Sequence, residues 1–148
     1  MMQVTENPIS QKVKEGKLSI PVMISTLWIF VSLNYIFCDV LSNMDKETLS
    51  GCLAGNLSGV VITQAFLLIA GISLEIPFIM VVLSRILPYK ANRILNMAFA
   101  VLMIVYQLGS FMVGSDNTLH YVFFSIIEIG GEVVIFILAL RWKKAMTP

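Results

Sequence analysis

The chain has 148 residues, 57% apolar and only 13% charged, whereas a soluble domain carries roughly 25% charged residues. Ten Lys and Arg against nine Asp and Glu leave a formal charge of +1, which supplies neither the basic surface that nucleic acid requires nor an acidic solvating tail. A soluble globular domain and a nucleic-acid partner are thereby set aside, and the lipid bilayer becomes the expected surroundings.

Residues 1–17 form a polar lead carrying Lys12, Lys14 and Lys17. Residues 18–38 then make an uncharged run of 21, and a helix rising about 1.5 Å per residue crosses a hydrocarbon core of roughly 30 Å in about 20. The long polar lead, the length of the run and the lack of an A-x-A-like site argue for a retained first span over a cleaved signal peptide. Next, Ser42-Asn43-Met44-Asp45 matches the S-x-x-D helix start, and Leu41, Met44, Leu49, Cys52, Leu53 and Leu57 recur at helical spacing, which predicts a short interfacial helix. Gly51, Gly55 and Gly59, spaced by four, read as a hinge or plain packing in preference to a helix-association stripe. Asn56-Leu57-Ser58 fits a glycosylation sequon, which matters only in a eukaryotic secretory setting.

The second span is predicted over 60–84, interrupted by Glu75, and the third over the uncharged run 94–115. The fourth, 118–140, contains Glu128 and Glu132 and ends at Arg141-Trp142-Lys143-Lys144, which opens a basic tail over 141–148. Repeats, low-complexity tracts and Pro-rich linkers do not occur. The fold class is therefore an all-α polytopic membrane protein, with residues 18–140 forming one four-helix transmembrane bundle.

Orientation follows from Lys and Arg. With both termini cytoplasmic, the inner set is Lys12, Lys14, Lys17, Arg85, Lys90, Arg93, Arg141, Lys143 and Lys144, nine of ten, and only Lys46 lies outside. Asp39, Asp45, Glu47 and Asp116 fall on the outer side, while Tyr89 and Trp142 sit where an inner aromatic belt would be.

Each span concentrates its polar and small residues on one face. The first has Ser25, Trp28, Ser32, Tyr35 and Asp39, and the second Gln64, Gly71 and Glu75. The third has Asn96, Ala100, Met103, Gln107, Ser110 and Gly114, and the fourth Tyr121, Ser125, Glu128 and Glu132. Lipid cannot satisfy these groups, so the stripes are expected to converge in a shared interior. For the neutral residues, Gln107, Tyr121 and Ser125 among them, hydrogen-bonded bundle packing is the simpler explanation.

The carboxylates differ. Helical rise from the basic residues puts Glu75 about 15 Å, Glu132 about 13.5 Å and Glu128 about 19.5 Å from the inner boundary. All three acids are thus expected near the midplane, where no Lys or Arg of the spans can pair with them, so protons or an outside cation must compensate. Glu128 and Glu132 lie one turn apart with Gly130 and Gly131 between them, a coupled pair expected to hold at least one proton. The competing explanation is a protonated pair acting as structural glue. Pro77 follows Glu75 closely and frees the Ser73 carbonyl, so Ser73 and Glu75 could hold a cation; for Pro77 alone a plain proline kink is the better explanation, and for its combination with Glu75 the two weigh evenly.

Asp39, about 33 Å beyond Lys17, belongs at the outer boundary, where it could recruit cations or simply end the helix. His120 lies alone near the outer end, with no ligands at metal-binding spacing, so no metal is expected. Cys38 and Cys52 are read as free thiols in preference to a disulfide. P-loops, dinucleotide fingerprints, Zn motifs and nucleophile elbows are missing from the sequence, so no cofactor is expected.

Leu27-Trp28-Ile29-Phe30, Leu33-Asn34-Tyr35, Cys38-Asp39-Val40 and Met44-Asp45 together resemble the first helix of a family of small uncharacterised prokaryotic integral membrane proteins. Leu83-Ser84-Arg85, Leu87-Pro88-Tyr89 and Ala91-Asn92-Arg93 resemble the basic turn between that family's middle helices, so the resemblance covers most of the chain. It implies a four-helix protein of the prokaryotic inner membrane and brings no activity. Three functions follow from the residues themselves. One is a homo-oligomeric proton- or cation-coupled carrier that binds a small cationic or amphiphilic ligand at Glu75, Glu128 and Glu132, with Asp39 at its mouth. Another is an accessory subunit whose acids pair with a partner's helix. The third is an enzyme acting on a lipid-like substrate, with a Glu as general acid or base beside Tyr35 or Tyr121.

Overall fold

The computed structural model describes residues 18–57, 59–113 and 118–143. Lys12, Lys14, Lys17, Ser58, Gly114, Asp116 and Lys144 lie outside the described residues. The elements in chain order are α1 (Ile20–Ser42), α2 (Lys46–Leu53), β1 (Asn56–Leu57), β2 (Val60–Val61), α3 (Gln64–Ile86), α4 (Tyr89–Val113) and α5 (Leu119–Arg141).

Four of these helices are long and apolar enough to cross a membrane, and the short α2 lies between the first two of them. Their polarity is inverted relative to a soluble protein. Phe37, Leu68, Val105, Phe123 and Ile126 are each more than half exposed, whereas Ser25, Asn96, Ser125, Glu128 and Glu132 are fully buried. Apolar side chains outward and polar side chains inward is the distribution that lipid imposes.

Helix ends follow local chemistry. Pro21 sits in the first turn of α1, where its missing N–H costs nothing. Asp45 caps α2, accepting from the Thr48 backbone N–H (3.0 Å) and hydroxyl (2.9 Å). These bonds, the backbone one first, hold its carboxyl below the usual range. Gly55 and Gly59 have φ of 75° and 91°, a region that L side chains avoid. Gly55 precedes, and Gly59 lies between, the strands of an antiparallel hairpin pairing Asn56 with Val61 and Leu57 with Val60. Gly55 and Gly59 therefore belong to turns, whereas Gly51 lies within α2, where a Cβ would meet the Asn56 carbonyl oxygen at 2.6 Å. Consequently α3 starts at Gln64, four residues later than hydropathy indicates, capped by the Thr63 hydroxyl, which accepts from the Phe66 N–H. At the other end the chain reverses through Leu87 and Pro88 alone, so Lys90 and Arg93 lie in the first turns of α4 and not in a loop before it.

Helix α1 is central, packing against both α3 and α5, and α4 packs against α5; α3 and α4 touch much less. The buried residues of α3 are Pro77, Met80 and Ser84, all in its second half. We call the end with Arg85, Lys90, Arg93, Arg141 and Lys143 the basic end, and the end with α2 and the strands the hairpin end.

Helices α1 and α5 approach closely at Gly131. A Cβ added at Gly131 would come within 2.8 Å of Val31 Cγ2, whereas one added at Gly130 would meet nothing within 4 Å. Val31 is fully buried and β-branched, so its χ1 is stiff and yields poorly. Gly131→Ala is expected to cost about 1–3 kcal/mol through overpacking, and Gly130→Ala to be neutral or slightly stabilising through helix propensity. Thermal unfolding of the two variants side by side in one detergent tests this; equal melting temperatures would refute the close crossing.

Candidate functional site

The bundle interior has two polar regions of different character. In the half toward the basic end, Asn96 is the hub. Its Oδ1 accepts from Trp28 Nε1 (2.6 Å) and from the Ser84 hydroxyl (3.0 Å), tying α1 and α3 to α4. Its Nδ2 donates to the Asn92 backbone carbonyl (2.8 Å), and Asn92 Nδ2 donates to the Ser84 carbonyl (2.6 Å). Ser25 donates to the Val81 carbonyl and accepts from Arg85 Nε. Arg93 donates to the Ala139 and Leu140 carbonyls at the end of α5, where a cation complements the helix dipole. Tyr89 closes this end by donating to the Trp142 carbonyl (2.7 Å), its ring edge-on to the indole.

The other region contains the two acids. Glu128 and Glu132 are both 0% exposed and flank the centre of α5. Glu132 Oε1 accepts from the Tyr35 hydroxyl at 2.9 Å. Glu132 Oε2 and both carboxyl oxygens of Glu128 have no hydrogen-bond partner among the described residues. Each such unmet group costs about 1–3 kcal/mol.

Register identifies what faces these acids. Along α1, Ser42 meets His120, Tyr35 meets Glu132 and Val31 meets Gly131, so buried Cys38 lies level with Glu128. Along α4, Gln107 meets Ser125 and Arg93 meets Ala139, which puts Met103 and Ala100 level with Glu128 and Glu132. The neighbours are thus a phenol, a thiol and apolar groups, with no cation among them. Toward the hairpin end, Gln107 Nε2 donates to the Ser125 hydroxyl (2.6 Å), and Ser110 bonds Tyr121.

Tyr35, Gln107, Tyr121 and Ser125 therefore join the same interior as Glu128 and Glu132. Other expected members do not. Glu75 is exposed, and so are Gln64 and Gly71. The inward face of α3 instead carries Pro77, Met80 and Ser84, and Glu75, two residues from Pro77, points away from it. Ser73 is half-buried, and its hydroxyl donates to the Ile69 carbonyl of its own helix (2.9 Å). The shared three-acid interior is corrected to a pair. Asp39 is exposed near the hairpin end of α1. Cys38 and Cys52 are free thiols. His120 contacts the hydroxyls of Ser42 and Thr118.

Sequence reasoning missed Asn92, Ser84 and Arg93 as a lock between helices. Asn92 and Asn96 four apart were the available signal, since both project from one helix face.

Fold and interior together define a small integral membrane protein with a buried carboxyl pair. The chain belongs to a family of unknown function, DUF6326, which it matches over residues 12–147. No curated protein and no solved structure matches it.

Proposed function

We propose that the protein is a proton- or cation-coupled carrier whose binding site is the Glu128 and Glu132 pair. The observation that carries this reading is the contrast within one interior: among the described residues the amides and hydroxyls around Asn96 are partnered, while three carboxyl oxygens near the middle of α5 are not. Intramembrane acids default to a functional role. Carboxyls without a countercharge suit a site that takes up and releases a proton, or exchanges it for a small cationic ligand.

The test is reconstitution in liposomes under an imposed pH gradient. Proton flux is followed with an entrapped pH dye, with and without tetraphenylphosphonium as the organic cation. Glu128→Gln combined with Glu132→Gln preserves size and removes ionisation. The expected outcome is normal folded yield with at least a tenfold loss of flux. Wild-type protein that carries no flux, or a double variant that retains it, overturns the carrier reading.

A second reading, an accessory subunit, draws support from Glu75. A carboxyl exposed on a membrane helix is costly against lipid, and it is better accommodated against another chain. In the carrier reading that chain is a second copy, whose own Glu75 could pair with it as a neutral acid dimer; in the accessory reading it is a different protein offering a donor. Native mass spectrometry from detergent separates the two. The carrier reading expects a homo-oligomer weakened by Glu75→Leu, and the accessory reading expects a co-purifying second membrane protein lost on the same substitution.

We also infer that the basic end faces the cytoplasm of a prokaryotic inner membrane, because nine of the ten Lys and Arg belong to that side of the sequence. Reporter fusions at the C-terminus and between Arg85 and Arg93 should read cytoplasmic, and one after Asp45 external. An external C-terminal reporter would reverse the orientation.

A further inference from the structure

We infer that two copies of this chain meet along α3: the outward stripe of Gln64, Gly71 and Glu75 packs in parallel against the same stripe of a second copy, with the two Glu75 carboxyls hydrogen-bonded to each other across a two-fold axis. The inference rests on the carrier reading in taking a second copy as the chain that covers Glu75. It adds the face, the direction and the register of the contact.

The chain itself leaves this stripe open. Of the four spanning helices α3 is the least buried, and its buried residues Pro77, Met80 and Ser84 all lie toward the basic end. At about 100° per residue, Gln64, Gly71 and Glu75 centre roughly 165° round the helix from those three, and each of the stripe residues is exposed. Glu75 has eleven residues of α3 on either side, so it stands at the middle of the span. A Cβ added at Gly71, one turn before it, would meet nothing within 4 Å. The missing side chain therefore serves no contact inside the chain and leaves room for a neighbouring backbone.

A carboxyl in that place has needs its own helix cannot meet. Outlying hydroxyls manage alone, since Thr26 donates to the Val22 carbonyl and Ser73 to the Ile69 carbonyl, each four residues back on the same helix. Acceptors have no such way out, because the N–H groups along the middle of a helix are already bonded to carbonyls. Lipid offers no donor either. The oxygens of Glu75 therefore call for a donor from another chain.

A second copy supplies that donor. With nine of ten Lys and Arg on one side of the sequence, all copies insert the same way round, so two α3 helices run parallel. About a two-fold axis along the membrane normal, each residue then meets its own counterpart at the same depth. Few polar side chains can face themselves. A carboxyl carrying its proton and a primary amide both can, since each has a donor and an acceptor, and these are the polar groups of the stripe at Glu75 and Gln64. Gly71 between them removes the bulk that would hold the backbones apart. The geometry also bears on transport. The stripe faces away from the bundle, and Glu128 and Glu132 are 0% exposed within a single chain, so the dimer holds two separate carboxyl pairs and not one site on its axis.

Cross-linking tests the inference independently of transport. In chains with Cys38→Ser and Cys52→Ser, single cysteines are placed by Gly71→Cys and Phe78→Cys on the stripe, by Ile69→Cys elsewhere on α3 and by Ile126→Cys on α5. Phe78, Ile69 and Ile126 are all exposed, so exposure alone does not separate them. On oxidation of the membranes with copper phenanthroline, the two stripe cysteines should form dimers at least tenfold faster than the other two. Adding Glu75→Leu to Gly71→Cys should slow the dimer at least fivefold, and Glu75→Gln, which keeps a donor and an acceptor, should restore it. Equal rates at all four positions, no dimer from the stripe, a rate indifferent to Glu75→Leu, or one slowed as much by Glu75→Gln overturns the inference. Should a cysteine variant fail to fold, Förster transfer between wild-type chains labelled at the C-terminus and diluted into liposomes replaces it. Transfer that is lost on Glu75→Leu is expected; none from the wild type, or full transfer in the variant, overturns the inference. Dimers without flux would sink the carrier reading and leave the pairing standing, whereas flux without dimers would do the reverse.

Discussion

A bilayer offers no water to the groups it encloses, so each buried donor and acceptor must find its partner inside the bundle or remain unmet. The position of α1 follows from this constraint. Its stripe of Ser25, Trp28, Ser32 and Tyr35 is the longest run of buried polar groups on one helix, and it serves α3, α4 and α5 in turn. Ser25 reaches Val81, Trp28 reaches Asn96, and Tyr35 reaches Glu132. A helix with such a stripe has to sit in the middle. Gly131 then determines how close α5 can come, and hence whether the Tyr35 phenol reaches Glu132 at all.

The two halves of the interior spend this constraint differently. Around Asn96 one side-chain carbonyl accepts two donors and the matching amide donates to the previous turn, so three helices are held by one residue. Such networks stiffen a bundle because breaking any member strands the others. Around the acids the ties are fewer: Tyr35 donates to Glu132, and Met103, Ala100 and Cys38 fill the space beside them.

Much of this was legible in the sequence. Charge gaps located the four long helices because nineteen charges in 148 residues leave few ambiguous runs. Polar stripes correctly picked the inward faces of α1, α4 and α5, where Trp28, Asn96, Gln107, Ser125 and both acids are buried. In α3 the same rule chose the wrong face. Gln64, Gly71 and Glu75 are the eye-catching residues there, but the inward face is made of Pro77, Met80 and Ser84, and polarity alone cannot tell a core acid from one that faces outward. The start of α3 was misplaced for a different reason: Val60, Val61 and Ile62 read as helix by hydropathy, and only the positive φ of Gly55 and Gly59 reveals the hairpin. Contacts such as Arg93 with the α5 carbonyls depend on helix register, which no single-span pattern contains.

The choice of carboxyls at 128 and 132 carries the functional argument one step further. An uncharged acid, an amide and an apolar side chain of similar volume can all occupy such positions. In a core lined by Met103, Ala100 and Ile135 the apolar choice would be the most stable, since it strands no oxygen. Glutamine would serve equally well as a hydrogen-bonding strut, and the strut is scarcely used, because among the described residues Tyr35 supplies the only bond the pair receives. What distinguishes glutamic acid from both is that it can release a proton. Three stranded oxygens near the centre of α5 are thus a cost to the core that apolar side chains at 128 and 132 would not carry.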